Sequence, residues 1–309
     1  GGEDDPPGGL VAETLRTYDE KIKGDRTMKK GANYGIAALV FIITMILING
    51  AGVVLAAGTA VFGILIGGSA GVNMVYGFLM NHLNLYSCLM YVIPGVVFLL
   101  WYYFAFIEPV GVNEFGKRQT RRLSPSCFIW LVVLAFAIQH AISLLMALIS
   151  ALMPSAMEEY TELVESSGMT QYSPVWVIAT LVLPPLVEET IFRGLILQYL
   201  RRAGACFIAA NLIQAVLFGI FHMNLVQGIY TAIFGFLLGY LAWRYDSLLV
   251  PMAMHAIFNF FGTAVVELEN AVLPDFLLGL IVIACVPLTA IVIVMIHFGI
   301  GDKKRGKLQ

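Results

Sequence analysis

Apolar residues run along most of this chain in stretches close to the ~20 residues that a helix needs to cross a bilayer. Eight such stretches stand out, at about 34–57, 84–106, 127–152, 174–200, 205–223, 226–244, 248–266 and 276–299, with short polar segments between them. The pattern predicts an all-α, polytopic membrane protein, a bundle of about eight transmembrane helices filling residues 34–300. The segment 58–83 fits less cleanly. It is apolar and rich in glycine (Gly63, Gly67, Gly68, Gly71, Gly77), and reads as a re-entrant or interfacial piece or as an extension of the first helix. Residues 1–33 open on Glu3-Asp4-Asp5-Pro6-Pro7-Gly8-Gly9 and continue with mixed charge. They are set apart as a cytoplasmic N-terminal segment, in part a processing remnant. The first apolar stretch is long and has no evident cleavage site, so it reads as a spanning helix, not as a signal peptide.

Composition agrees with the pattern. The 309 residues are 59% hydrophobic and 12% charged, with mean hydropathy +0.85; a soluble domain carries about 25% charged residues. The net charge of −2 points to no nucleic-acid partner, and the expected surroundings are lipid. Cys88, Cys127, Cys206 and Cys285 are scattered through apolar segments and read as small buried hydrophobes.

The placement of charge says more than its sum. Seventeen of the 18 Lys and Arg precede the first stretch, follow the second, fourth and sixth, or lie in the tail 301–309, all on one side of an eight-span chain. The opposite loops hold Glu158, Glu159, Glu162, Glu165, Glu267, Glu269 and Asp275 and no basic residue. By the positive-inside rule both termini are cytoplasmic, as in a multi-pass protein of a prokaryotic cell membrane.

The eighteenth basic residue, Arg193, lies inside the fourth stretch, in Pro184-Pro185-Leu186-Val187-Glu188-Glu189-Thr190-Ile191-Phe192-Arg193-Gly194. A charge at the bilayer centre costs about 3 kcal/mol on insertion scales, and such groups mark function by default. Glu189 and Arg193 are four apart and pair on one helix face. Glu188 points about 100° away and is left for another task. The two prolines interrupt the helix one turn earlier, where a break is tolerated if the backbone lines a cavity. In the fifth stretch Asn211, Ala215, Phe218 and His222 share a face; in the seventh, His255 and Asn259 do. His140 and His297 read as hydrogen-bonded packing residues.

A carboxylate, two imidazoles and an amide in neighbouring spans suit water activation by a buried Glu. They also suit a divalent metal held by Glu188, His222 and His255 with one open position. Gly67-Gly68-Ser69-Ala70-Gly71 matches G-x-S-x-G, but that motif needs a strand-to-helix turn, which an apolar Gly-rich stretch does not offer.

Glu188-Glu189-x-x-x-Arg193, Phe218-x-x-x-His222 and His255-x-x-x-Asn259, in this order within membrane spans, resemble the motifs of the CPBP family (CAAX protease and bacteriocin-processing, or Abi), which includes the type 2 CAAX prenyl endopeptidases. The resemblance covers about residues 174–262. It implies an eight-helix bundle with an intramembrane catalytic cavity and a catalytic core at about 174–268. Glu188 would activate water with His222. His255 and Asn259 would stabilise the oxyanion or bind metal, and Glu189, Arg193 and Phe218 would support the site. The implied activity is endopeptidase cleavage of a membrane-associated protein or peptide, prenylated or a bacteriocin precursor, with one zinc or other divalent ion or with none. Two rival classes use the same residues: a transporter or proton-coupled carrier, which repeated halves would favour and of which the sequence shows none, and a non-catalytic immunity or scaffold protein.

Overall fold

The computed structural model describes residues 30–299. The predicted N-terminal segment up to residue 29 and the tail 301–309 lie outside the described residues. Within them every regular element is helical. The helices are α1 (Lys30–Met80), α2 (Leu83–Tyr102), α3 (Val112–Arg122), α4 (Pro125–Leu152), α5 (Pro154–Ser166), α6 (Pro174–Arg202), α7 (Phe207–Phe221), α8 (Leu225–Tyr245), α9 (Leu249–Val272) and α10 (Asp275–His297). Seven of them are long and apolar enough to cross a membrane. The predicted span 205–223 is the exception: its helix is the 15-residue α7. At 1.5 Å per residue it is about 22 Å long, short of the hydrocarbon core.

The segment 58–83 continues the first helix and then turns back on it. α1 runs on past residue 57 and then reverses at Gly67 and Gly68, where the backbone leaves helical geometry (Gly68 φ 61°, ψ −140°). That φ is open to glycine at no steric cost. The returning arm of the helix lies hard against the outgoing one. A Cβ on Gly71 would fall 2.1 Å from Gly63 O, and one on Gly63 would fall 2.4 Å from Val72 Cα. The G-x-S-x-G sequence is therefore the tip of a helical hairpin.

Two clusters of apolar side chains build the bundle. One joins α4, α8, α9 and α10 through residues such as Leu134, Phe234, Met254 and Val292. The other joins α1, α2, α6 and α7 through Val40, Phe98, Phe192 and Phe218. Lipid tails are as apolar as leucine, so hydrophobicity alone does not hold such helices together; small residues and interhelical hydrogen bonds do. The α7–α8 contact uses both. Gly219 meets Gly228 so closely that a Cβ on Gly219 would lie 2.5 Å from Gly228 O. Farther along, Asn211 Nδ2 donates to Phe236 O (3.0 Å), and Gln214 Nε2 donates to Gly235 O (3.0 Å) and to Asn211 Oδ1 (2.7 Å). Asn211, on the face of His222 by spacing, is thus spent on joining two helices.

That amide pair needs Gly239, where an added Cβ would stand 1.8 Å from Asn211 Oδ1 and 2.7 Å from Gln214 Nε2. Gly239→Ala should therefore cost about 1–3 kcal/mol, as overpacked cores do. It should lower the melting temperature in detergent, while Gly58→Ala, with nothing within 4 Å, should not. Equal melting of the two variants would contradict this packing.

The two ends of the bundle differ in charge, as the sequence predicts. At one end α3 sits against the α8–α9 turn: Arg118 bonds Asp246 through two nitrogens, one of them Nε at 2.8 Å to Oδ2, and Ser247 Oγ donates to Gln119 O (3.0 Å). Arg201 and Arg202 close the same end. At the other end Tyr172 donates to Glu267, and His140 Nε2 lies 3.1 Å from Glu269 Oε2. Burial, and then the bond to the Glu267 carboxylate, push the Tyr172 hydroxyl up to about 12, so it remains a donor throughout the neutral range.

Candidate active site

α6 carries the site because its ladder is broken. Pi-helical stretches at Val177–Val182 and Thr190–Ile196 flank the α-helical turns Leu183–Glu189. Such widened turns recur at functional sites. Pro184 and Pro185 occupy the positions whose N–H groups would reach Thr180 O in an α and a π ladder respectively, and neither has an N–H. The orphaned carbonyl is taken by α9: Asn259 Nδ2 donates to Thr180 O at 3.0 Å. One polar side chain of the seventh stretch is thus aimed by a proline pair in the fourth.

The paired glutamates divide. Glu189 is fully buried; its Oε1 accepts from Arg193 Nη1 (2.9 Å) and from His255 Nδ1 (2.8 Å). Arg193 is equally buried. It also donates from Nη2 to Gly235 O (2.8 Å), and its guanidinium lies 4.5 Å from the centre of the Phe218 ring. Phe218 is therefore the floor under the ion pair. Glu188 turns the other way, as the ~100° step between adjacent helical residues requires. Tyr91 on α2 donates to its Oε1, and its Oε2 stands 3.9 Å from His255 Nε2.

These bonds set the tautomers. With Nδ1–H given to the carboxylate of Glu189, His255 turns Nε2 toward Glu188. His222, just past the end of α7, bonds Phe218 O through Nδ1 (2.8 Å) and likewise keeps Nε2 for the interior.

Glu188, His222, His255 and Asn259 all line one cavity of about 530 Å³, with Phe218 beside them. Glu189 and Arg193 do not reach it. The cavity extends past Tyr160 and Tyr230 to Glu267 and Asn270, at the acidic end of the bundle. It holds groups that the motifs did not indicate: Tyr91 on Glu188, and Gln139, whose Oε1 is buried without a hydrogen-bond donor. A signal was present for Tyr91. Asn84, Ser87 and Tyr91 recur at i, i+3, i+7, a polar stripe within an apolar helix, and all three line the cavity.

A divalent metal, the alternative that the sequence leaves open, would need Glu188, His222 and His255 to close on one point. Among the described residues no group of three His, Cys, Asp or Glu side chains is placed to hold a metal ion. Ligands about 2.1 Å from a tetrahedral zinc stand about 3.4 Å apart, whereas His255 Nε2 and Glu188 Oε2 are 3.9 Å apart and Glu188 Oε1 is bonded to Tyr91. The three side chains share the wall of one cavity.

Comparison with known proteins bears on the same residues. Residues 170–261 match the family model of type II CAAX prenyl endopeptidase Rce1-like proteins. The Rce1-like segment contains every predicted site residue from Glu188 to Asn259; Tyr91 and Gln139 fall outside it. A curated relative, "Putative membrane peptidase YdiL" of Bacillus subtilis (strain 168), is 32% identical over 99 residues, which is 32% of this chain. The chain spans 40% of the length of that relative. No solved structure matches it.

Proposed function

We propose that this protein is an intramembrane endopeptidase that hydrolyses a peptide bond of a membrane-associated protein or peptide, with residues 174–268 as its catalytic core. The observation that carries this reading is the division of the two glutamates. Glu189 is committed to Arg193 and His255, while Glu188 lines a cavity large enough for an extended peptide segment. A binding protein would need neither a second buried carboxylate turned into a cavity nor two imidazoles on the wall of the same space.

In this mechanism Glu188, with His222 Nε2, holds a water molecule. Glu188 takes a proton as the water oxygen attacks the scissile carbonyl carbon. The oxyanion is met by donors fixed in advance, which stabilise it without reorganisation; the second amide hydrogen of Asn259 is one, its first being held by Thr180 O. As the C–N bond breaks, the proton on Glu188 passes to the leaving amine. His255, oriented by Glu189, keeps Nε2 beside Glu188. The cavity reaches the acidic end of the bundle, which on the positive-inside reading lies outside the cell membrane.

The test is cleavage of a panel of membrane-spanning peptides by the purified protein in detergent, read by mass spectrometry. Turnover is expected to survive exhaustive chelation, because the mechanism routes the proton through Glu188. Loss of cleavage on chelation and its return with a divalent cation would overturn this account of the water's activation.

A further inference from the structure

A second pocket, of about 170 Å³, lies at the basic end of the bundle between α3, α6 and the α8–α9 turn. Among the described residues, four guanidinium groups line it, from Arg118, Arg193, Arg201 and Arg202, against one carboxylate, Asp246. Two of the four are neutralised. Arg118 is paired with Asp246 and Arg193 with Glu189. Among the described residues Arg201 and Arg202 have no carboxylate partner. Arg201 donates from Nη1 to Ala205 O (2.6 Å), and Arg202 stacks 4.0 Å from the centre of the Phe106 ring.

The pocket also holds unmet donors. Among the described residues Arg202 Nη2 is buried with no acceptor, and so is Nε of the fully buried Arg193 at its inner wall. A buried donor on a charged group without an acceptor costs more than a neutral one, so two such atoms around one cavity ask for an anion. Guanidinium groups match phosphate oxygens in geometry. The remaining wall is aromatic: Trp243 stacks on Phe207 with ring centres 4.7 Å apart, and both line the pocket. Trp at a bundle end sits at headgroup depth, and basic pockets between membrane helices hold anionic headgroups.

We propose that this pocket is a binding site for a phosphate group, supplied by the headgroup of an anionic phospholipid in the leaflet at the basic end. Arg201 and Arg202 supply the two uncompensated charges, and Trp243 and Phe207 carry the glycerol and upper acyl chain. The proposal is independent of the peptidase reading. Arg193 is nevertheless common to both sites, since its other face holds Glu189 and through it His255.

The experiment uses delipidated full-length protein in a neutral detergent, with melting followed during titration of phosphatidylglycerol, phosphatidylcholine or inorganic phosphate. Phosphatidylglycerol should raise the melting temperature saturably, and phosphatidylcholine should not. In Arg201→Gln/Arg202→Gln the apparent affinity should fall about thirtyfold, as for two basic contacts to an anionic lipid. Arg121→Gln/Arg122→Gln, outside the pocket at the same end, should bind as the wild type does. Should the double variant melt too low to titrate, native mass spectrometry of Arg202→Lys and Arg202→Gln replaces it: the lysine form retains one bound lipid and the glutamine form loses it. An equal effect of inorganic phosphate would support the site and name a free anion as its ligand. Equal stabilisation by phosphatidylcholine, no response to either anion, or an unchanged response in Arg201→Gln/Arg202→Gln would overturn it.

Discussion

Glu188→Gln is expected to leave the protein folded, with wild-type melting, and to lower turnover by at least about 100-fold, the lower bound for removing a positioned general base. The carboxamide has the size of the carboxylate and can still accept from Tyr91, so the packing around α2 and α6 should persist. It cannot take the proton of water. Neither neighbouring carboxylate is placed to replace it. Glu189 is bonded to Arg193 and His255 and does not reach the cavity, and Glu267, at the acidic end of the wall, is bonded to Tyr172. The measurement pairs a melting curve with a cleavage assay on the same preparation. A variant that cleaves within a few-fold of the wild type would remove Glu188 from the chemistry. If Glu189→Gln were at the same time folded and inactive, the two roles would be exchanged.

Glu189→Ala should do the opposite kind of damage. It removes the acceptor shared by Arg193 and His255, leaving a guanidinium of zero exposure beside a neutral gap. Breaking a buried ion pair from one side costs about 3–5 kcal/mol, because the remaining charge is stranded. The expected readouts are poor expression and a melting temperature well below the wild type, with activity lost along with the fold. Arg193→Ala should behave alike, since it strands Glu189. The cycle that separates an ion pair from two independent packing defects is the double replacement. Glu189→Leu/Arg193→Leu removes both charges and should cost less than the sum of the single losses. Strict additivity would show that the pair is not what holds α6 in place.

Much of this site is legible in the order of residues alone. A charged triplet in an apolar span is so costly that its presence is informative by itself, and the 3.6-residue period separates Glu188 from the Glu189–Arg193 face. The same period puts His255 and Asn259 together. It leaves the role of Asn211 open, because sharing a face with His222 does not say which neighbour that face meets: eleven residues earlier on α7 the neighbour is α8, with Gly239 open to receive an amide. It passes over Tyr91, since a tyrosine in a membrane helix has an ordinary reading as packing or as an interfacial anchor, and its partner is 97 positions away.

What the sequence determined on its own is whatever follows from local geometry and from the cost of polar groups in lipid. That covers the helical class, the approximate spans, the charge asymmetry of the two ends and the separate directions of the adjacent glutamates. What only the tertiary structure decided is which groups meet. Examples are Asn259 on the Thr180 carbonyl freed by two prolines, His255 on Glu189, and the reversal of α1 at Gly68. A periodic pattern fixes the angle of a side chain about its own helix axis. The rotation, depth and neighbour of each helix in the bundle come from the close glycine contacts and interhelical hydrogen bonds that hold membrane helices together, and these appear only when the helices are packed.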